Sequence, residues 1–457
     1  MAVTPFPFQN TSSSILQQMQ FQFVANQVIN TNEPIHKFVE LYDTNSLINI
    51  AMRFKAIKAS QIKPMLYKTK DKAAAKEMKK WNGQWRDSYE YKQFKQLKSA
   101  AIDEIYLQDI NVRDSSDEML QLKKLLTRPN DFQSFSECIE MLVTFYDLVG
   151  WSMIYAPVGK KGIIASIEAV PTHQIDIQGG VPSNPVKSYK WKGDYRYEID
   201  PKFAYPFKSI STTYNMHGSH LYGTSVVKAI YTEVQTYIEA CAREYTGFKT
   251  GDSAHILFPI HPDAQAEAAQ DPWLIRKLKE HVFKELRQKD RHQAVVVGQE
   301  LGHINLASQL KDANSTEVKK GIKEIVARGF MLPSRLVFND NESSTYNNLV
   351  EDKKDALRIG VFPILNKIEE TLAYDIIRPN FGLDFGFDYD CYPELNPDVI
   401  ADMEKLAKVD YISDNEKRDW HEFDKLTDER AELPQKYWDT MVQPMNLDYG
   451  TTGPANQ

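Results

Sequence analysis

Few residues of this chain have the types and spacing that enzyme chemistry requires. The segment His217-Gly218-Ser219-His220 places a serine between histidines, which are the residue types of nucleophilic catalysis. A nucleophile elbow needs Gly-x-Ser-x-Gly on a turn from strand to helix, whereas Leu221 follows two positions after the serine. The carboxylates of Asp388 and Asp390 flank one residue of a predicted strand, and we expect them to face solvent. Neither place is therefore predicted to be catalytic.

The other chemical signatures are also missing from the sequence. It contains no GxxxxGK[ST] phosphate loop and no HExxH zinc motif, and its ten histidines are scattered. The three cysteines, Cys138, Cys241 and Cys391, lie far apart without CxxC spacing, which favours reduced thiols made in a cytosol. We predict no metal, no cofactor and no enzymatic activity.

Composition limits the possible functions further. The 457 residues are 42% hydrophobic and 26% charged, as in globular proteins, and the length suggests two to four domains. The net charge of -7 disfavours tight, sequence-specific DNA binding and suits a protein past which a polyanion slides. The sequence has no secretory signal and no apolar run of the ~18 residues that span a bilayer, so we predict no membrane insertion.

The first half of the chain reads as helices followed by a sheet. Residues 1–45 are polar and are predicted to form an arm. A helix at Leu47–Ala59 precedes a strand at Lys63–Tyr67, and the charged run Lys68–Lys80 is interpreted as a solvated helix. Another helix starts near Ser134. Short β-rich runs then predict a mostly antiparallel sheet over residues 150–215, with strands at Met153–Ala156, Ile163–Ile167, Gln174–Ile177 and Tyr195–Ile199.

Two long helices enclose a small insert in the second half. A stripe of apolar residues from Val227 to Phe248 predicts one helix that runs without interruption from Thr224 or Ser225 to Gly251. Residues 252–305 read as a small α/β unit. The chain returns by a helix that begins at Asn314, which has Glu317 three positions on, as in a capping box.

The segment that follows this helix is short and irregular, and it has the residues of a contact surface. It begins at Phe330 and ends at Asn348. The next helix is predicted to kink at Pro363 and to stop at Pro379. A strand at Phe385–Tyr389, two helices from Asp398 and Ser413, and a disordered tail complete the chain.

Five motifs, in this order, resemble those of the portal proteins of tailed bacteriophages. Leu125–Asn130 with the later Gly150 is similar to a leucine-rich Pro-Asn motif and its trailing glycine, although Trp151 stands where the family commonly has Asn. Gly223-Thr224-Ser225 resembles a Gly-x-Ser-Pro turn that lacks its proline. The remaining three are Phe330–Ser334 (similar to Phe-Gly-Val-Pro-Pro), Ser344–Asn348 (similar to Tyr-Ser-Asn) and Tyr411–Arg418 (similar to Gly-x-Leu-Thr-x-Asn-Glu-x-Arg).

This resemblance implies an α+β fold with a portal-like architecture that assembles into a ring. The implied parts are an arm (1–45), a wing (46–224), a first stem helix (225–250), a clip (251–312), a second stem helix (313–329), a tunnel loop (330–348), a tunnel helix with a wing return (349–395), a helical crown (396–446) and a disordered tail (447–457).

The resemblance also implies a function and partners. The ring, which in this family usually has twelve copies, would sit at one vertex of the capsid in the virion and would be assembled in the host cytoplasm. Double-stranded DNA would pass through it during packaging and ejection. Its implied partners are further copies of the chain, the terminase large subunit, the major capsid and scaffold proteins, and a head–tail adaptor.

Three groups of residues are predicted to form the contacts of such a ring. Non-specific, salt-sensitive contacts with DNA are expected from the tunnel-loop residues Arg335, Asn339, Asp340, Asn341, Glu342, Ser343, Ser344 and Asn347. Docking of the motor or adaptor is expected from the clip residues Lys277, Lys284, Arg287, Lys289 and Arg291. Charge pairs within or between subunits are expected from the stem residues Glu233, Glu239, Glu244, Lys319, Lys320 and Lys323.

Alternatives remain open for each group and for the whole chain. The clip and stem charges have a simpler interpretation as solvated helix faces. The chain as a whole has two other interpretations: another structural ring of the virion, such as a head–tail adaptor, or a hydrolase with a site assembled on the 150–215 sheet.

Overall fold

The computed structural model of the protein describes residues 34–110, 116–159, 162–181, 184–193, 197–212, 219–250, 255–259, 276, 301–305, 315–338, 346–396, 408, 413–420 and 426–427. These ranges contain both helices and strands, and every strand pairing is antiparallel, which confirms the mixed class. No helix in the described ranges combines the length and the hydropathy that crossing a bilayer demands.

The elements before residue 226 alternate between helices and short strands. In chain order they are α1 (Ile35–Thr44), α2 (Ser46–Ser60), β1 (Lys63–Thr69), α3 (Lys72–Trp81), α4 (Ser88–Ala101), β2 (Ile102–Ile105), α5 (Asp117–Thr127), α6 (Phe135–Val149), β3 (Trp151–Tyr155), β4 (Glu168–Val170), β5 (Ile175–Val181), β6 (Asn184–Trp191), β7 (Glu198–Ile199) and β8 (Ala204–Lys208).

Helices dominate the remainder. In chain order the elements are α7 (Val226–Ala229), α8 (Tyr231–Thr250), β9 (His255–Pro259), β10 (Leu301–Asn305), α9 (Ser315–Gly329), α10 (Ser334–Phe338), α11 (Tyr346–Asp355), α12 (Phe362–Glu370), α13 (Arg378–Phe381), β11 (Asp384–Asp388) and α14 (Asp414–Trp420).

The described ranges form four small sheets, with the strand orders β11-β1-β2, β4-β3-β8, β5-β6-β7 and β10-β9. The first joins distant parts of the chain, because Leu66 on β1 lies opposite both Ile105 on β2 and Phe385 on β11. The second and third supply the antiparallel sheet that the sequence predicted over residues 150–215. The predicted strand Ile163–Ile167 is wrong, since this stretch makes only an isolated bridge between Val158 and Ile164.

Helix α6 is the central element of the part of the chain that precedes residue 226. Its N-cap Ser134 and Glu137 form a capping box, and Gly150 ends it in the left-handed conformation at a φ of 89°. Apolar residues recur every three or four positions, as the sequence predicted, and bury Ile139 and Leu142 against α2 and β3.

The buried residues form two main cores that meet at α6. One core packs α6 against α5, β4 and the helices after residue 356. The other packs α1, α2 and β3 against α7, α8 and α9, with Phe38, Trp151 and Phe330 among its largest members. Residues Ile35–Thr44 near the end of the predicted polar arm therefore form helix α1, whose Phe38 and Leu41 are buried in this core. The second core therefore holds helices α8 and α9 against the elements that precede them in the chain.

A buried ion pair joins α2 to α6 between these cores. The Nζ atom of Lys55 lies 3.1 Å from one carboxylate oxygen of Asp147, and both side chains are almost fully buried. Burial raises the pKa of Asp147, and the charge and hydrogen bond of Lys55 act in the opposite direction.

The helix after residue 346 differs from its prediction in two ways. It continues to Phe381, where Gly382 ends it at a φ of 65°, so Pro379 does not stop it. Two π-helical stretches, Ala356–Val361 and Thr371–Ile377, interrupt it directly before the turns that contain Pro363 and Pro379. A wider turn relieves the clash between a proline ring and the carbonyl four residues earlier, so the helix accommodates both prolines.

Candidate functional site

The long helices begin at a close contact between two glycine motifs that are far apart in sequence. A Cβ atom on Gly223 would lie 1.8 Å from the carbonyl oxygen of Gly150, and one on Gly150 would lie 2.5 Å from the carbonyl carbon of Thr224. The Ser209 hydroxyl lies within hydrogen-bonding distance of the Gly150 and Thr224 carbonyls, at 2.9 Å and 2.7 Å. Only glycine fits at either position, which explains why both motifs contain one.

Ser225 fixes the start of the first long helix. Its hydroxyl accepts a hydrogen bond from the Val227 amide at 3.0 Å, as an N-cap, and donates to the Leu148 carbonyl at 2.7 Å. The helix is not continuous, since α7 ends at Ala229 and α8 begins at Tyr231. The predicted uninterrupted helix is wrong at this point, because Ile230 has non-helical backbone angles of φ −108° and ψ 11°.

Helices α8 and α9 pack against each other near their bases. Val234 and Val326 are fully buried there, and a Cβ atom on Gly329 would lie 2.7 Å from Cγ2 of Ile230. The absence of a side chain at residue 329 lets the two helices approach closely. The strands β9 and β10 lie between these two helices in the sequence. They pair in antiparallel orientation, with His255 opposite Asn305.

One pair of the predicted stem charges meets within the chain. Lys319 on α9 forms an ion pair with Glu244 on α8. Desolvation opposes the charge on Lys319, but the hydrogen bond that Lys319 donates to Glu244 and the charges of nearby groups outweigh it and raise the pKa of Lys319. Glu239 and Lys320 are exposed, while Glu233 and Lys323 are half-buried. Contacts of these side chains between subunits remain a prediction.

A Schellman motif ends helix α9. The Met331 amide donates to the Arg328 carbonyl at 2.9 Å, and the Leu332 amide donates to the Ala327 carbonyl at 2.9 Å. Met331 occupies the left-handed position at a φ of 58°, and it is the only described non-glycine residue with a positive φ. The family motif that this stretch resembles has glycine at the same place. A methionine in the left-handed conformation therefore has a conformational cost that glycine would avoid.

This turn rests on the helix that contains the π-helical stretches. Phe330 and Leu332 are buried, whereas the Met331 side chain is 59% exposed. A Cβ atom on Gly360 would lie 2.9 Å from both the Met331 carbonyl oxygen and the Leu332 side chain. Sequence reasoning missed Gly360, because its role depends on a segment about thirty residues earlier in the chain.

The predicted tunnel-loop residues are only partly described. Arg335 is exposed on α10, a short helix within the stretch that the sequence predicted to be irregular, and α10 contacts α2, α9 and α11. Asn347 belongs to the first turn of α11. The residues outside the described ranges are Asn339, Asp340, Asn341, Glu342, Ser343 and Ser344. The clip residues Lys277, Lys284, Arg287, Lys289 and Arg291 also lie outside them.

Two polar motifs of the sequence prove to be structural. The Asn130 side chain donates to the carbonyl of Ile167 at 3.1 Å and accepts from the Phe132 amide at 3.1 Å, which shapes the loop before α6. Asn415 exchanges hydrogen bonds with the backbone of Leu426 at 2.7 Å and 2.9 Å. Both asparagines are buried, so their side chains hold loops in place.

The candidate catalytic groups have different surroundings from those expected. Asp390 does not face solvent freely, because it pairs with Arg86 at 3.0 Å, and burial raises the pKa of the neighbouring Asp388. His220 is buried, and burial followed by the charge of Lys208 lowers its pKa. His217 lies outside the described residues. Among the described residues, no group of three or more His, Cys, Asp or Glu is arranged to hold a metal ion.

Solved structures with a similar fold come from the necks of particles. The chain matches one described as "Neck of native GTA particle computed with C12 symmetry" with a TM-score of 0.54 and 16% identity, over 88% of this chain and 97% of that one. A chain from "Virion of native gene transfer agent (GTA) particle" gives a TM-score of 0.54 and 15% identity, over 88% and 97%. At such identities the likeness concerns the fold alone. No curated protein matches this sequence significantly.

The sequence itself carries the family assignment. Residues 100–422 match the family described as phage portal protein, and this range contains the close contact at Gly150, both long helices and the Schellman turn. It covers more than half of the chain, so the protein belongs to the phage portal protein family.

Proposed function

We propose that this protein forms the portal ring at one vertex of a phage capsid, through which double-stranded DNA enters during packaging and leaves during ejection. The observation that carries the proposal is the family match over residues 100–422. The similar neck structure was computed with C12 symmetry, which supports a ring of twelve copies. The proposal assigns the chain no catalytic role.

The parts of the ring follow the order of the elements. The wing comprises residues 46–224 and 349–395, the stem comprises 225–250 and 313–329, the clip comprises 251–312, and the crown comprises 396–446. The packing of α8 against α9 around Gly329 supports a stem of two helices that carries a separate clip. The terminase large subunit and later a head–tail adaptor dock at the clip, and capsid and scaffold proteins contact the rest.

The tunnel loop extends from the Schellman turn to the start of α11. Phe330 and Leu332 anchor one end of it in the second core, and Tyr346 begins the helix at the other end. Residues 339–345 between them are rich in Asn, Ser and acidic side chains, which contact phosphates weakly and without base specificity. This region therefore guides DNA without gripping it.

Shortening the loop tests the proposal. Deletion of residues 339–345, with a Gly-Ser bridge, is expected to leave ring formation intact in electron micrographs and to abolish packaging of the genome. A matched variant in which the same seven residues are replaced by Gly and Ser keeps the length of the segment and separates length from chemistry. Normal packaging by the deletion variant would refute the role of the loop, and a purified chain that stays monomeric at every concentration would refute the ring.

Docking at the clip has its own test. The double variant Lys284→Glu/Arg287→Glu is expected to weaken binding of the motor about tenfold or more, because like charges then face the docking surface. The control Lys37→Glu/Lys202→Glu makes the same change in net charge on exposed residues outside the clip. Unchanged affinity for the clip variant would favour the simpler interpretation, a solvated helix.

A further inference from the structure

The positive charge of this acidic protein is concentrated in one short stretch. Residues 63–98 contain eleven Lys and Arg against four Asp and Glu, a net charge of +7. The rest of the chain contains 44 basic against 58 acidic residues, a net charge of −14. A polyanion approaching the protein therefore meets attraction at this stretch and repulsion over most of the remainder.

Helix α3 presents four of these eleven basic residues along one side. Lys72, Lys76 and Lys79 recur at intervals of four and three residues, Lys80 adjoins them, and all four side chains are exposed. Ala75 and Met78 are buried on another side of the helix, in a small core with α4. We refer to these four lysines as the basic surface.

Neighbouring positive charges are neutralised, but those of the basic surface are not. Arg86 pairs with Asp390, and Lys98 pairs with Glu104 at 2.6 Å. Within the described part of the chain, none of the four lysines forms an ion pair; Lys79 lies 5.8 Å from the centre of the Tyr374 ring and interacts electrostatically with Glu369. A helix that served only to pack on α4 would not need four lysines without an ion pair in one row.

The dimensions and chemistry of the row fit the backbone of nucleic acid. From Lys72 to Lys80 the helix rises about 12 Å, at ~1.5 Å per residue. Duplex DNA carries about one charge per 1.7 Å of axis, so a row of this length faces roughly seven phosphates. Lysine is a compact point charge that attracts phosphates without the bidentate geometry that reads bases.

We infer that the basic surface binds the phosphate backbone of double-stranded DNA, independently of sequence and without the DNA passing through a ring. The choice of DNA as the polyanion rests on the proposed function, which brings the genome to this protein. The binding itself is separate from the tunnel loop, because it uses side chains of α3 alone.

Closed circular DNA separates this binding from passage through a tunnel, since a closed circle cannot be threaded. Filter binding of a relaxed circular plasmid to the purified, assembled protein is measured between 50 and 200 mM NaCl. The variant Lys72→Ala/Lys76→Ala/Lys80→Ala is expected to lose about tenfold or more in affinity at the lower salt concentrations. The slope of log K against log salt should fall by about 2.7, at 0.9 per lost phosphate contact.

The matched control is Lys37→Ala/Lys187→Ala/Lys202→Ala, which removes three exposed lysines that lie outside residues 63–98. It should bind circles within twofold of the unaltered protein. All six positions are exposed, so thermal unfolding should be the same in both variants, and this is checked by circular dichroism.

Several results would overturn the inference. The first is undiminished binding by the α3 variant, and the second is an equal loss in the control, which would show that only net charge matters. An altered ring size or sedimentation of the α3 variant with unchanged DNA binding would assign the surface to a second copy of this chain. Failure to bind circles by a protein that still forms rings and packages DNA would refute this inference and leave the proposed function intact.

Discussion

Gly329 lies so close to Ile230 that a Cβ atom on the glycine would come within 2.7 Å of the isoleucine Cγ2. The two residues are far apart in sequence: Gly329 is the last residue of α9, and Ile230 separates α7 from α8. The contact therefore sets the distance between the bases of the two long helices.

Substitution of Gly329 by Ala should be destabilising by about 1–3 kcal/mol, because the added methyl group overpacks a contact with a branched side chain. Gly321→Ala on the same helix is the control, since a Cβ atom there meets nothing within 4 Å. It should be stabilising by about 1 kcal/mol through helix propensity. Urea unfolding measures the stability of both variants. In the Ile230→Ala background, Gly329→Ala should lower the free energy of unfolding by less. An equal loss in both backgrounds would contradict a clash with Ile230.

Replacement of Met331 by glycine should stabilise the protein. A left-handed backbone costs a side-chain-bearing residue about 1–2 kcal/mol, and this exposed side chain offers little burial in return. We expect Met331→Gly to raise the free energy of unfolding by about 1 kcal/mol. Met331→Ala keeps the Cβ atom and should give no such gain, so equal effects of the two substitutions in thermal unfolding would contradict the explanation.

Loss of the Ser225 hydroxyl should loosen the start of the first long helix. Ser225→Ala removes both the N-cap and the hydrogen bond to the Leu148 carbonyl, at a cost of about 1–2 kcal/mol. Thr236→Ala, in the exposed middle of α8, removes a hydroxyl that bonds only to its own helix and should stay within about 0.5 kcal/mol. Chemical unfolding that ranks the two equally would argue against Ser225 as an anchor.

Removal of only one partner of the ion pair between Lys55 and Asp147 should strongly destabilise the protein. Lys55→Met leaves a buried carboxylate without compensation and should destabilise the protein by about 3–5 kcal/mol. The double variant Lys55→Met/Asp147→Leu should recover most of this loss. Lys58→Met on the same helix breaks a more exposed pair with Glu394 and should cost about 1 kcal/mol or less. A double variant as unstable as the single one would contradict the prediction.

Two histidines should make the fold sensitive to mild acid. Burial lowers the pKa of His173 and His220 below the ordinary 6.5, with Lys192 and Lys208 adding to the respective effects. The unfolded chain then binds protons more readily, so stability is complete above pH 6.5 and is lost as the pH falls toward the lowered values. His173→Gln/His220→Gln should flatten the fall in melting temperature between pH 7.5 and about 5.5. A double variant whose melting temperature falls as steeply as that of the unaltered protein would contradict the prediction.

Local patterns in the sequence were enough to predict several elements. The periodic apolar positions of α6 and the run Ser413–Glu416 predicted a helix and a helix start, and the structure has both. Such signals succeed because helix periodicity and capping depend on residues only three or four positions apart. The family resemblance rested on local motifs for the same reason, and the match over residues 100–422 confirms it.

What the sequence could not decide depends on contacts between distant residues. The pairing of Gly150 with Gly223 and the support of Met331 by Gly360 join residues far apart in the chain. The π-helical stretches before Pro363 and Pro379 place Leu357 and Leu372 in a core that is built from distant parts of the chain. Sequence alone therefore determined several of the helices, the motifs and the family. Tertiary packing decided where the long helices break and which glycines are indispensable, because a steric limit exists only between surfaces that the fold brings together.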